Sequence, residues 1–235
     1  MSYAPNSAYV VNLSRTKVWT GKSTSTASST KTGLVKKSGA YYYYSSTGKM
    51  YKNKWKTIGS KTYYFGKDGK AVVGPKKISG TYYVFTSKAV LAKGSGTHVV
   101  KVGGEKYRVT SKGKAKKGWS SDKMNYFQAN GKLTTGIALV SGKLNYFSKY
   151  GNRNIDKTHD LRVAAADTHD ASKLLALMGT PAKVLKADAC APTVCEKGHS
   201  HDLCTDGVYT YKNLKIWTTT FDCEGVTYEY LVDIA

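Results

Sequence analysis

Pairs of aromatic residues recur about every 20 residues along the first two thirds of the chain, and most pairs are followed by a turn that contains glycine. The stretch KTYYFGKDGK shows both parts, because Tyr63-Tyr64 precedes the turn at Asp68-Gly69. Asp-Gly and Asn-Gly favour tight turns, since both residues tolerate positive φ. The pattern therefore predicts a series of β-hairpins of about 20 residues each. The aromatic positions are Tyr42-Tyr43, Tyr63-Tyr64, Tyr82-Tyr83, Tyr107, Tyr126-Phe127 and Tyr146-Phe147.

A single hairpin is only marginally stable in water. Hairpins that stack in series bury the aromatic face of each unit against the next, which gives a repeat solenoid. In such a stack the tyrosine rings fill the core while their hydroxyl groups reach water. We therefore predict a mainly β protein with a β-hairpin repeat solenoid.

The net charge of the chain changes sign near residue 155. Residues 1–155 contain 29 Lys and Arg against 3 acidic residues, whereas residues 156–235 contain 8 against 12. This difference in charge predicts that the two regions of the chain bind different partners. The predicted regions are an N-terminal segment with a Ser/Thr-rich linker at 1–32, a basic β-hairpin repeat region at 33–155 and a small cysteine-containing domain at 156–235.

The units NKWKTIGSKTYYFGKDGKAVVG (Asn53–Gly74) and KKGWSSDKMNYFQANGKLTTG (Lys116–Gly136) contain a tryptophan, an aromatic pair and a glycine turn in the same order. This pattern resembles the cell-wall-binding repeats of Gram-positive surface proteins and phage lysins, which include choline-binding and glucan-binding types. The resemblance covers residues of about 33–152.

The resemblance implies that a ligand sits between consecutive hairpins, surrounded by aromatic rings. Carried over to this sequence, it implies one set of ligand-binding residues formed by Trp55, Tyr63 and Tyr64. A second set consists of Trp119, Tyr126 and Tyr146. The other repeats have no tryptophan at this position, so the implied rings are incomplete there.

The charge of the repeats bears on the class of ligand. Aromatic faces attract quaternary ammonium ions, but a strongly cationic surface repels them at close range. An anionic cell-envelope polymer or a glycan is the partner that we expect. Nucleic acid fits the charge alone, although no recognition helix or RNA-binding word is present. In a competing interpretation the rings are core and the lysines only protect exposed strand edges from aggregation.

After residue 155 the sequence predicts a small α+β domain, with a helix and a three-stranded antiparallel sheet. Leu174, Leu175, Leu177 and Met178 form an apolar helical face that ends at Gly179 and Pro181. The predicted strands are Val208–Tyr211, Leu214–Phe221 and Val226–Ile234. The domain loosely resembles a small domain of Firmicute surface proteins, which implies no enzymatic role.

All four cysteines lie in this domain, at Cys190, Cys195, Cys204 and Cys223. An even number in a small domain of an exported type of protein favours two disulfides, with Cys190–Cys204 and Cys195–Cys223 as the preferred pairing among three. A zinc site is the alternative, because thiolate and imidazole are the ligands that zinc prefers. Its ligands would be Cys195, His199, His201 and Cys204.

No constellation of catalytic residues is evident in the sequence. The repeats contain only Asp68, Glu105 and Asp122 as acidic residues, which are too sparse for a pair of glycosidase carboxylates. The two Thr-His-Asp motifs, ten residues apart, would allow a metal site, but roles in helix caps and turns explain these residues as well. Their side chains are His159, Asp160, His169 and Asp170. We predict no enzyme, no cofactor and no resident metal.

The sequence as a whole predicts a non-enzymatic binding protein at the cell surface or outside the cell. No apolar run approaches the length of a membrane span, and no signal peptide is visible. One alternative is a structural stalk or a self-associating component of a fibre or phage tail. The other is an adhesin or toxin-like region that binds host glycans.

Overall fold

The computed structural model describes residues 31–189, 193–194, 200–201, 204–223 and 226–235. The described chain is mainly β and contains antiparallel hairpin repeats. The strands of the repeat region are β1 (Gly33–Lys37), β2 (Ala40–Tyr44), β3 (Lys54–Ile58), β4 (Lys61–Phe65), β5 (Gly74–Ile78), β6 (Thr81–Phe85), β7 (His98–Val102), β8 (Glu105–Val109), β9 (Gly118–Trp119), β10 (Tyr126–Phe127), β11 (Gly136–Val140), β12 (Lys143–Phe147) and β13 (Arg153–Asn154). The elements that follow are α1 (Ile155–Ala166), α2 (Ser172–Met178), β14 (Lys183–Ala189), β15 (Thr193–Val194), β16 (Ser200–His201), β17 (Cys204–Thr210), β18 (Lys215–Cys223) and β19 (Val226–Ile234).

Each aromatic strand pairs with the strand that precedes it in sequence. In five of the six hairpins a two-residue turn joins the two strands, as at Ser79-Gly80, where the φ angles are +46° and +81°. Two successive positive φ angles match the right-handed twist of the strands. In the fifth hairpin, residues 120–125 separate β9 from β10. The Asp68-Gly69 turn follows the aromatic strand, as expected, and the Gly69 N–H donates to the Gly66 carbonyl at 3.0 Å. The second short strand expected after it is a single bridge between Phe65 and Ala71.

One backbone hydrogen bond ties each hairpin to the preceding one at the same place in every unit. Its donor is the amide of the residue two positions after the turn glycine, or after its equivalent Ala89, and we call this residue the tail residue. The acceptor is a carbonyl in or next to the preceding aromatic strand, at 2.7–2.8 Å. The donor–acceptor pairs are Ala71–Tyr41, Leu91–Thr62, Ala115–Tyr82, Leu133–Lys106 and Arg153–Met124.

The tail side chain of one repeat packs against the turn of the next. A Cβ atom on Gly113 would lie 2.7 Å from the Leu91 side chain, so an alanine at this position would have to displace the leucine. The third repeat has Ala89 at the turn position, with φ +60°. There the opposing tail residue is Ala71, and both alanines are buried in one cluster. A large tail residue thus faces a turn glycine, whereas a small tail residue tolerates alanine.

The C-terminal elements comprise two helices and a four-stranded antiparallel sheet in the order β14-β17-β18-β19. Strands β17, β18 and β19 coincide with the three predicted strands, and α2 ends at Gly179 with φ +72° as predicted. Strand β14 adds a fourth strand that the sequence did not predict. Its residues 183–187 are all exposed, so no alternation of apolar and polar residues marks it.

The sixth hairpin, β11–β12, shares a core with the C-terminal elements. Leu144 of β12 is buried in one cluster with Leu161 of α1 and Ile216 of β18. The Asn213 side-chain amide donates to the carbonyls of Thr135 and Ile137 at 3.0 and 2.9 Å. The residues before and after position 155 are therefore packed together.

The predicted disulfides and the alternative zinc site lie outside the residues whose side chains the structure describes. Cys190, Cys195 and His199 fall outside the described ranges, and only the backbone is described for His201, Cys204 and Cys223. Among the described residues no helix has the length and apolar character needed to cross a membrane.

We expect Gly113→Ala to lower the free energy of unfolding by about 2–5 kcal/mol in urea titrations. Positive φ costs an alanine about 1–2 kcal/mol, and overpacking against Leu91 adds about 1–3 kcal/mol. Gly80→Ala is the matched control, because Gly80 has φ +81° but no atom within 4 Å of a Cβ. The Gly113→Ala cost should shrink in a Leu91→Ala background, and an equal cost in both backgrounds would contradict this packing.

We expect Leu144→Ala to destabilise the chain by about 2–5 kcal/mol, because it leaves a cavity in a buried cluster. Amide hydrogen exchange should speed up in α1 and β18 as well as in β12. Leu34→Ala in the first hairpin serves as a control that should leave exchange in α1 unchanged. Unaltered α1 exchange in Leu144→Ala would show that the hairpin and the helix do not stabilise each other.

Candidate functional site

Three exposed or half-buried rings meet between the second and third hairpins. Trp55 lies 5.1 Å from Tyr64 and 5.0 Å from Tyr83, both with edge-to-face ring angles. The fully buried Phe85 lies 5.7 Å from Trp55 and forms the floor. Trp55 itself is 38% exposed, so its ring is available to a ligand. We call these four residues the Trp55 group.

The register of the strands explains this group. Trp55 of β3 pairs with Tyr64 of β4, and cross-strand partners point to the same face. Tyr83 and Phe85 come from β6 of the next hairpin. We expected Trp55 and Tyr64 in one site, and the structure brings them together. Tyr83 was not predicted, because Val84 shifts the tyrosine pair by one position; aligning the strand ends Phe65 and Phe85 would have revealed it.

Tyr63, the third residue expected in this set, lies on the opposite face of its hairpin. It pairs with Lys56 and is 5% exposed, in a cluster with Phe65 and Ala71. Leu34 of the first hairpin packs against the same cluster. Burial raises the pKa of the Tyr63 hydroxyl, with a smaller contribution from Tyr41. The structure thus places Tyr63 in the core that joins the first two hairpins.

Trp119 is the centre of a second aromatic group, between the fifth and sixth hairpins. Its ring lies 5.2 Å from Tyr126 and 5.8 Å from Phe147. Arg153 contributes the remaining contact, because its guanidinium carbon lies 5.5 Å from the centre of the Trp119 ring. We call Trp119, Tyr126, Phe147 and Arg153 the Trp119 group.

Tyr146, which we expected in the second set, packs against the core of the C-terminal elements. Its backbone N–H donates to the Thr158 hydroxyl at 3.0 Å. The Lys157 ammonium lies 4.8 Å from the centre of its ring. The structure therefore shows no ring contact between Tyr146 and Trp119 among its described aromatic pairs.

A shallow depression rich in lysine adjoins the Trp55 group. It measures about 740 Å³ and is lined by Lys67, Lys70 and Lys76, with Asp68 as its acidic residue. Lys76 is the cross-strand partner of Tyr83. Asp68 lies 3.7 Å from Lys70 and offsets one of the three lysine charges, so the depression keeps a net positive charge from Lys67 and Lys76.

Lysine side chains cover several other tyrosines of the repeats. The Lys56 ammonium lies 4.8 Å from the centre of the Tyr43 ring, and a hydrogen bond to the Tyr43 hydroxyl raises the pKa of this ammonium. Lys77 lies 5.9 Å from the Tyr82 ring in the same way. Within the described chain no Lys or Arg stands over the rings of the Trp55 group. Among the described aromatic groups, this one combines a tryptophan, two tyrosines and a ring face that no cation covers.

The two Thr-His-Asp motifs have different structural roles, because residues 158–160 lie within α1, whereas residues 168–170 lie in the turn before α2. The Asp170 carboxylate accepts a hydrogen bond from the Ser172 amide at 2.8 Å, and bonds from Ser172 lower the pKa of Asp170. His169 lies edge-on to Tyr230, with ring centres 5.4 Å apart. No cluster of three His, Cys, Asp or Glu side chains with the geometry of a metal site occurs in the part of the chain that the structure describes.

Comparison with known protein families relates the first repeats to a described family. A family model described as a cell wall binding repeat matches residues 32–50 and 53–71. These residues form the first two repeats, including Trp55 and Tyr64. The resemblance inferred from the aromatic pairs and glycine turns is thereby confirmed.

Relatives among known proteins match about half of the chain. Glucosyltransferase-I of Streptococcus downei is 29% identical over 123 residues, which are 51% of this chain and 8% of the enzyme. Choline binding protein F of Streptococcus pneumoniae, solved in the presence of a peptidoglycan analogue, is 29% identical with a TM-score of 0.36, covering 53% of this chain and 41% of that one. The cell wall endolysin of phage Cp-1, solved with choline, is 22% identical with a TM-score of 0.38, covering 53% and 37%. The chain therefore spans less than half the length of each of these relatives.

Proposed function

We propose that the chain is a non-enzymatic binding protein of the cell surface or extracellular space whose basic aromatic repeats attach it to an anionic cell-envelope polymer with sugar or polyol units. The observation that carries the proposal is the exposed Trp55 group next to a depression lined by three lysines. The match of the first two repeats to a cell wall binding repeat supports an envelope polymer over other polyanions.

In this proposal the two parts of the site have separate roles. The Trp55 ring, with Tyr64 and Tyr83 beside it, stacks on an apolar face of the polymer. Lys67, Lys70 and Lys76 neutralise phosphate or carboxylate groups that flank this face. The aromatic contact fixes the orientation of the polymer on the surface, whereas the ammonium groups provide long-range attraction that salt weakens.

The repeated architecture supports binding to a polymer. Six hairpins joined by the same backbone hydrogen bond would stack as a solenoid and present lysines at regular intervals. The described repeat residues contain two close ion pairs, Lys70–Asp68 and Lys132–Glu105, so most lysines keep their charge available. A chain of anionic groups meets such a surface at several points, which increases the overall affinity.

We expect binding to poly(glycerol phosphate) to weaken steeply with salt. If three phosphates are neutralised, counterion-release scaling for a single-stranded polyanion predicts roughly a 100-fold loss of affinity for a tenfold rise in NaCl. Isothermal titration at low and high salt measures this loss. A neutral glucan serves as the control ligand, and equal affinity for the phosphate polymer at both salt concentrations would refute the proposal.

We expect Trp55→Ala and Tyr83→Ala each to weaken binding of the same polymer by about 2–10-fold, the range of an aromatic contact. Tyr150→Ala is the matched control, because Tyr150 is 66% exposed and lies outside the Trp55 group. Triple replacement of Lys67, Lys70 and Lys76 by Gln should lower both the affinity and its salt dependence. Equal losses in Tyr150→Ala and Trp55→Ala would remove the Trp55 group from the site.

A further inference from the structure

We infer that Arg153 is a built-in occupant of the Trp119 group, so that of the two tryptophan groups in the described repeats the one at Trp55 is open and the other is closed by the chain's own guanidinium. The inference deepens the proposed function and rests on it only for the role of the Trp55 group. It assigns Arg153 as the residue that determines which aromatic group accepts a ligand.

The two groups are built to the same plan. The tryptophan-to-tyrosine distances are 5.1 and 5.2 Å, with ring angles of 64° and 66°. The tryptophan-to-phenylalanine distances are 5.7 and 5.8 Å, with angles of 34° and 38°. Two of the three partners of each tryptophan therefore coincide, and any functional difference must come from the third.

The third partner differs because the sixth hairpin departs from the repeat at two positions. Where the third hairpin has Tyr83, the sixth has Asn145, which is 1% exposed and accepts a hydrogen bond from Arg162 at 3.0 Å. Where the earlier tail residues are Met50, Ala71, Leu91, Ala115 and Leu133, the last is Arg153. The ring that completes the open group is thus missing, and a cation takes the space beside Trp119.

The surroundings of Arg153 hold its guanidinium in this place. The Arg153 amide donates to the Met124 carbonyl at 2.8 Å, which fixes the backbone beside the fifth hairpin. The Arg153 Nε atom is buried and has no hydrogen-bond partner among the described residues. A guanidinium is weakly hydrated and stacks on aromatic faces, so the Trp119 ring is the stabilising contact for this side chain.

A tethered occupant competes strongly with a free ligand, because its effective concentration is in the millimolar range or above. A quaternary ammonium ion or a sugar ring would have to displace Arg153 before it could contact Trp119. No comparable cation stands over Trp55 within the described residues. The charge also differs, since the Trp119 group carries its own positive charge at the ring face.

Fluorine NMR of 5-fluorotryptophan-labelled full chain, titrated with tetramethylammonium, tests the inference. Trp→Phe replacements assign the signals of Trp55 and Trp119. In Arg153→Leu the Trp119 signal should shift as tetramethylammonium is added, whereas in the wild type it should not shift over the same concentration range. We expect the two affinities to differ by about tenfold, as for the loss of a cation–π contact. Lys149→Leu is the control, because Lys149 lies over Tyr150 and not over Trp119.

Two results would overturn the inference. One is a Trp119 signal that responds in the wild type as strongly as in Arg153→Leu, and the other is a silent Trp119 signal in the folded variant. If Arg153→Leu does not fold, the Arg153 Nε–H resonance of the wild type decides instead. The Trp119 ring current should shift it upfield, and an ordinary position would refute the contact. Polymer binding is measured separately, so a failure of the proposed function leaves this result intact.

Discussion

The structure depends on the contact between each tail residue and the turn of the next repeat. An isolated two-stranded hairpin cannot bury enough apolar surface to be stable. The amide of the tail residue binds the preceding hairpin, while its side chain fills the space beside the following turn, as Leu91 does beside Gly113. One residue per repeat therefore contacts three consecutive units. These contacts set the relative position of neighbouring hairpins, and this position brings the rings of the aromatic groups together.

Much of this architecture could be predicted from the sequence, because it is local. Aromatic pairs and glycine turns at a fixed spacing predict hairpins without knowledge of distant contacts. The partners of Trp55 depend instead on the offset between hairpins, and Val84, which stands in β6 where β4 has Tyr64, was enough to hide Tyr83. Strand β14 could not be predicted either, since an exposed edge strand with lysines at positions 183 and 186 has no hydrophobic periodicity.

The last repeat contributes Phe147 to the Trp119 group and also connects the repeats to the C-terminal elements. Its strands carry Leu144 into the core of the C-terminal elements, and Asn145, in the position of a ring, bonds to Arg162 of α1. Residues that would complete an aromatic group are thus used to fix the hairpin to the helix. The change from Tyr83 to Asn145 and from Leu91 to Arg153 replaces the aromatic surface that we propose for ligand binding with a junction to the C-terminal elements.

The match of tail size to turn size also limits how such a gene can gain or lose units. Removing the fourth repeat would bring Leu91 against Gly131, a pairing of the same kind as Leu91 with Gly113. Removing the second repeat would bring Met50 against Ala89, whose methyl group occupies the space that Gly69 leaves for this methionine. Unequal recombination would therefore cost stability at a junction that brings a large tail residue against Ala89, and the number of hairpins can vary most readily at junctions that leave a glycine beside each large tail residue.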